Sequence, residues 1–150
     1  MKILKVFSLP LILMLVGCGK EKVIVCNTDI NNNVQNYKTT GVYKIYYNDN
    51  YVTKIEKNEK YTSDDNSMIE YFYESKSLEY FDLSDKYGGV TYNIEKLKDE
   101  IDIKSNIDLK EFDLNRLSKD GKIDKDYIIN GRLTLNGLKR IYKSKGIVCE

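Results

Sequence analysis

Apolar residues recur along this chain with two different periods, and the changes of period mark its elements. Val23 to Cys26 opens a strand, and Asn31-Asn32-Asn33 supplies turn residues that tolerate left-handed backbone. Gly41 to Tyr47, dense in aromatic and β-branched residues, predicts a second strand. Asn48-Asp49-Asn50 then turns the chain into a third, Tyr51 to Tyr61, completing an antiparallel meander. From there the period lengthens. Ile69, Phe72, Tyr73, Tyr80, Leu83 and Tyr87 recur three and four residues apart, with Lys76 interrupting the stripe, so a helix is expected behind the N-cap candidates Asp64 to Ser67. Gly88-Gly89 ends it, as residues free to take positive φ do.

Alternation returns at Val90, Tyr92 and Ile94, and again at Ile101, Ile103, Ile107 and Leu109, which predicts two half-buried strands. Phe112, Leu114 and Leu117 suit a short helical turn, and Asp120-Gly121 a bend. Thr134 caps a last helix with Leu135, Leu138, Ile141 and Tyr142 on its apolar side, stopped by Gly146 ahead of a terminal strand, Ile147 to Cys149. The expected fold is α+β, an antiparallel sheet with element order β-β-β-α-β-β-α-β and its helices on one face.

The first 17 residues follow a different logic. Lys2 and Lys5 precede an apolar run from Val6 to Val16, and Leu15-Val16-Gly17-Cys18 has the layout of a bacterial lipoprotein cleavage site. The run is well short of the ~20 residues that span a bilayer. Residues 1–17 are therefore expected to be a signal peptide, Cys18 the lipidated residue carrying diacylglycerol, 18–22 a short tether and 23–150 a single domain. Fully extended, Gly19 to Lys22 reach roughly 13 Å at ~3.3 Å per residue, which would hold the domain close to the membrane.

Composition narrows the chemistry. Without the leader's two lysines, 22 basic residues face 23 acidic ones, interspersed, so no patch of nucleic-acid-binding type is formed. Export makes a disulfide reasonable for the two remaining cysteines. Cys26 and Cys149 lie near the two ends of the expected domain, each preceded by Ile-Val, and adjacent terminal strands would join them with Cα atoms about 4.4 to 6.8 Å apart.

There is no histidine, which removes the commonest general base and the usual zinc or haem ligands, and no phosphate-binding glycine motif is present, so neither a metal nor a cofactor is expected. Asp120-Gly121-Lys122-Ile123-Asp124 has the centre of a calcium loop, but the first and twelfth ligand positions fall on Arg116 and Tyr127; it reads as a surface turn. Asp64-Asp65 and Asp82 with Asp85 would be the raw material of a carboxylate-based glycan hydrolase, although helix ends use such residues for ordinary reasons. Lys139, Arg140, Lys143 and Lys145 crowd the last helix, where cations complement its dipole. The thirteen tyrosines are the unusual resource. Tyr43 and Tyr47 share one face of the second strand and Tyr46 the other, so these rings form a candidate binding face for a sugar or a partner protein, as well as ordinary packing material.

The lipoprotein cleavage site, the meander into Asn48-Asp49-Asn50, the helix into Tyr87-Gly88-Gly89-Val90-Thr91-Tyr92 and the final Lys145-Gly146-Ile147-Val148-Cys149 together resemble the YehR-like small lipoproteins, a bacterial family without an assigned activity. The resemblance implies an antiparallel sheet packed with helices on a lipid-anchored surface protein, and brings no catalytic residues. The functional expectation is a non-enzymatic, membrane-anchored extracytoplasmic module that binds an envelope protein or glycan, with a carboxylate-based cell-wall hydrolase as the alternative.

Overall fold

The computed structural model describes residues 20–150, and Cys18 and the leader lie outside them. Three long strands open the chain: β1 (Lys22–Asn32), β2 (Tyr37–Asn48) and β3 (Tyr51–Thr62). They form the expected meander, and the turns take positive φ at Asn36, Asp49 and Asn50, where a short polar side chain tolerates it. Helix α1 (Asn66–Tyr87) follows, its first turn held by the Asp65 carboxylate, which accepts from the Ser67 amide at 2.8 Å. Gly88 and Gly89 both adopt positive φ and pass the chain into β4 (Val90–Lys96) and β5 (Glu100–Asp108). A Cβ on Gly89 would sit 2.6 Å from the Asp108 carbonyl oxygen, so the chain can return past β5 here only through glycine.

The segment from 111 to 132 contains more structure than the expected element order allows. It holds α2 (Leu114–Lys119), a 3-10 turn over Lys125–Tyr127 and a two-residue hairpin of β6 (Ile128–Ile129) with β7 (Arg132–Leu133). These pieces are too short to display a period. Helix α3 (Leu135–Ser144) is capped by Thr134, and β8 (Val148–Cys149) closes the chain.

Six strands form one antiparallel sheet in the order β4-β5-β3-β2-β1-β8. Cys26 stands directly opposite Cys149 in the β1–β8 pairing, and their sulfurs are bonded at 2.08 Å. Their Cα atoms are 3.9 Å apart, closer than the expected band, because the two residues face each other across adjacent strands. Both long helices cover the same face. Tyr80 of α1 hydrogen-bonds Glu59 of β3, and Tyr142 of α3 packs on Tyr43 of β2 with ring centroids 5.3 Å apart. The core between sheet and helices is built from Ile45, Ile55, Ile101, Ile103 and Ile107 below and Ile69, Tyr80, Leu138 and Tyr142 above.

Candidate functional site

The middle of β3 reads Lys57-Asn58-Glu59, and two of those three side chains point into the covered face. Lys57 is in register with Tyr43 on one side and Ser105 on the other; Glu59 is in register with Gly41 and Ile103. Cross-strand partners share a face, so a lysine and a glutamate enter the layer where isoleucines would be expected. A bulge between Tyr46 and Tyr47 in the β2–β3 pairing places them there. It leaves Val52 and Ile55 both buried although they are three residues apart, and shifts the inward set to odd-numbered positions from Ile55 onward.

Glu59 is fully engaged. The Tyr43 hydroxyl donates to one carboxylate oxygen at 2.8 Å and the Tyr80 hydroxyl to the other at 2.8 Å, while Ser105 donates to the Tyr80 oxygen at 3.2 Å. Tyr43 reaches Glu59 by laying its ring over Gly41, the residue opposite Glu59. A Cβ on Gly41 would meet the Tyr43 hydroxyl at 2.8 Å, so glycine makes room for the bond. Burial first, and then the neighbouring carboxylate, push both phenols well above the ordinary tyrosine range, and both remain neutral donors. Tyr61, at the far end of the row, is pushed up to about 12, again by burial and then by Glu59.

Lys57 has no such arrangement. Among the described residues it makes no ion pair, and its ammonium lies 5.9 Å from the centre of the Tyr80 ring. Burial pulls this lysine below its ordinary value, against the opposing influence of Glu59 and Glu79. Lys76, the residue that breaks the apolar stripe of α1, behaves differently. Burial alone would lower it, but the Tyr61 phenol and an ion pair with Glu79 at 2.7 Å outweigh burial and raise it.

Beside Lys57, between the helices and the sheet, lies a half-open cavity of ≈ 470 Å³. Its floor includes Ile55, Lys57 and Ile107 of the sheet; Leu83 and Tyr87 of α1 form one wall, Leu138, Ile141 and Tyr142 of α3 the other. Leu117 of α2 and Ile123 also line it, as do Lys86, Lys122 and Lys145 with Glu79 and Asp82. Both carboxylates are occupied, Glu79 by Lys76 and Asp82 by Lys86 at 2.9 Å. The Tyr142 hydroxyl is buried without any hydrogen-bond partner, although the residue is only 5% exposed. A site of this kind, apolar with a few convergent polar groups, suits a small ligand, for which pockets of about 300–1,000 Å³ are usual.

The tyrosines expected to form a binding face are divided by the sheet. Tyr43 is 3% exposed and belongs to the Glu59 network; Tyr47 is half-buried and packs against the core. Tyr46 lies on the opposite side, donating to Glu56 at 3.0 Å with the Lys54 ammonium 3.8 Å above its ring. Sequence reasoning did not single out Lys57, Glu59, Tyr80 or Tyr142 as a set. The available signals were Lys76 inside an apolar helix stripe and a lysine and glutamate two apart in a strand, and neither declares which face it occupies. Among the described residues no three histidine, cysteine or carboxylate side chains are grouped as metal ligands, and no helix is long and apolar enough to cross a membrane.

No protein-family model matches the chain, and no curated protein does. Among solved structures it is similar to the Escherichia coli YehR protein, determined by NMR, with a TM-score of 0.56 at 14% identity over 88% of this chain and 92% of that one. A protein from Streptococcus pneumoniae TIGR4, also determined by NMR, aligns over 100% of this chain and 98% of its own with a TM-score of 0.49 and 12% identity. At these identities the likeness to YehR is one of fold.

Proposed function

We propose that this protein is a non-enzymatic binding module, tethered by a lipid on Cys18 to the extracytoplasmic side of a membrane, that holds a small ligand between its helices and its sheet. The observation that carries the reading is the ≈ 470 Å³ cavity, apolar on its walls, with the Lys57 ammonium in its floor. The Glu79 and Asp82 ion pairs favour binding over carboxylate chemistry, since both acids beside the cavity are already held by lysines. Support for a membrane-proximal position comes from the start of β1. Lys22 pairs with Tyr47, and the Thr53 hydroxyl donates to Glu21, three positions after Cys18, so the tether emerges at the end of the sheet where Leu109 bonds back to Thr53.

The test uses Nile red, an uncharged apolar dye, and the full chain. Saturable one-to-one binding is expected, and it should be lost in Leu83→Trp and in Ile141→Trp, which fill the cavity from opposite walls. Circular dichroism establishes that each variant is folded. Absence of dye binding to the wild type, or undiminished binding to both folded variants, would overturn the reading.

A further inference from the structure

We infer that the occupant of this cavity is a single-chain amphiphile with a carboxylate head, seated head-inward on Lys57 and Tyr142 with its hydrocarbon chain along the apolar walls. The inference rests on the binding role proposed above and adds the ligand's chemistry.

Three independent features point to an anionic head. The first is the Lys57 ammonium, which has no ion pair among the described residues. Its nearest opposing charge, Glu59, has each oxygen committed to a tyrosine hydroxyl and is drawn towards Tyr43 and Tyr80. The second is the Tyr142 hydroxyl, a buried donor with no acceptor in the protein. Its ring lies tilted against that of Tyr43, the cross-strand partner of Lys57, with centroids 5.3 Å apart, and Tyr142 and Lys57 line the same cavity. A carboxylate offers one oxygen to each. The third is the balance of charge around the space. Glu79 and Asp82 are paired, Lys86 is taken by Asp82, and Lys122 and Lys145 have no ion pair among the described residues. Lys145 is close enough to Lys57 for the two cations to repel, and an anion placed between them relieves that repulsion.

The remaining lining specifies the rest of the molecule. Apart from the charged groups already named, the lining is leucine, isoleucine and aromatic side chains, which offer a hydrocarbon chain dispersion contacts. A volume of ≈ 470 Å³ accommodates a single hydrocarbon chain.

Displacement of Nile red tests this with dodecanoate, dodecyl phosphate, dodecylammonium and dodecanol, which share one chain and differ in the head. Dodecanoate should displace the dye at roughly one-tenth the concentration of dodecanol, with dodecylammonium weaker than either. In Lys57→Met, which keeps the length of the side chain and removes its charge, the advantage of dodecanoate over dodecanol should disappear, both read against that variant's own Nile red affinity. Tyr142→Phe should reduce that advantage in part. Equal potency of all four heads, or an advantage that survives in Lys57→Met, would overturn the inference while leaving the binding role intact. A preference for dodecyl phosphate over dodecanoate would replace the carboxylate with a phosphate head and overturn the assignment as stated. Failure of Nile red to bind at all defeats the binding role itself.

Discussion

At the scale of single residues, one charge in this protein is accommodated and another is not. Glu59 lies within a hydrogen-bonded network of Tyr43, Tyr80 and Ser105, and Gly41 is the residue that lets the network close. Gly41→Ala should displace the Tyr43 ring and break one of the two bonds to Glu59. A loss of about 1–3 kcal/mol is expected, from overpacking together with a poorly satisfied carboxylate, and urea denaturation measures it. Lys57 is the opposite case. Its folded-state pKa is lowered by burial, so between that value and the ordinary lysine range the unfolded chain binds more protons, and stability rises with pH across the window. Below the window the cost of holding the ammonium is fully present. Lys57→Met should therefore melt higher than the wild type at neutral pH, with the gain shrinking as the pH climbs towards the ordinary lysine range. A variant that melts lower at neutral pH would show that Lys57 stabilises the fold and would remove the reason for regarding it as a functional residue.

Among the secondary-structure elements, the sequence displays its long periods and conceals its short ones. The meander, the glycine stop after α1, the alternating β4 and β5 and the Thr134 cap were legible because each has a local cause: β-branched alternation, positive φ, or a side-chain oxygen facing an orphan amide. The two-residue strands β6 and β7 have no period to show. The bulge at Tyr46/Tyr47 is also silent in the sequence, yet it decides that Lys57 and Glu59 face inward. Helix α1 was legible through its buried Ile69, Tyr80 and Tyr87 despite the exposed Tyr71, Leu78 and Phe81 that blur its stripe. The cavity belongs to no single element, since the sheet and all three helices line it, and no local pattern could have announced it. Thr134 accepts from the Gly137 amide at 3.1 Å and donates to the Tyr127 carbonyl at 3.2 Å, which fixes the start of one cavity wall. Thr134→Ala should cost about 1–2 kcal/mol and Thr134→Ser much less, as read from thermal melts.

Considered as a whole, the molecule is closed by its termini. The Cys26–Cys149 bond joins β1 to a strand of two residues at a sequence separation of 123, and that short strand gains little from its own pairing. Reduction, or Cys149→Ala, should cost about 2–5 kcal/mol and free β8 first, with loss of amide protection at Val148 and in the facing part of β1. Should both thiols alkylate in intact cells without reductant, the bond is absent there. The tether enters the same strand as Cys26, at Lys22, and would meet the membrane there if Cys18 is lipidated. Cys18→Ala should abolish lipid labelling and release the chain from membranes, and retained labelling would contradict the anchor.

The central claim is that the space above Lys57 is a binding site, and methyl-resolved NMR of the full chain titrated with dodecanoate tests it most directly. The account predicts saturable shifts at Ile55, Leu83, Leu138 and Ile141, which line the cavity, with Leu78 and Val148 on the outer surface unmoved. Shifts confined to the exposed methyls, or no saturable shift at the four cavity residues, would contradict it.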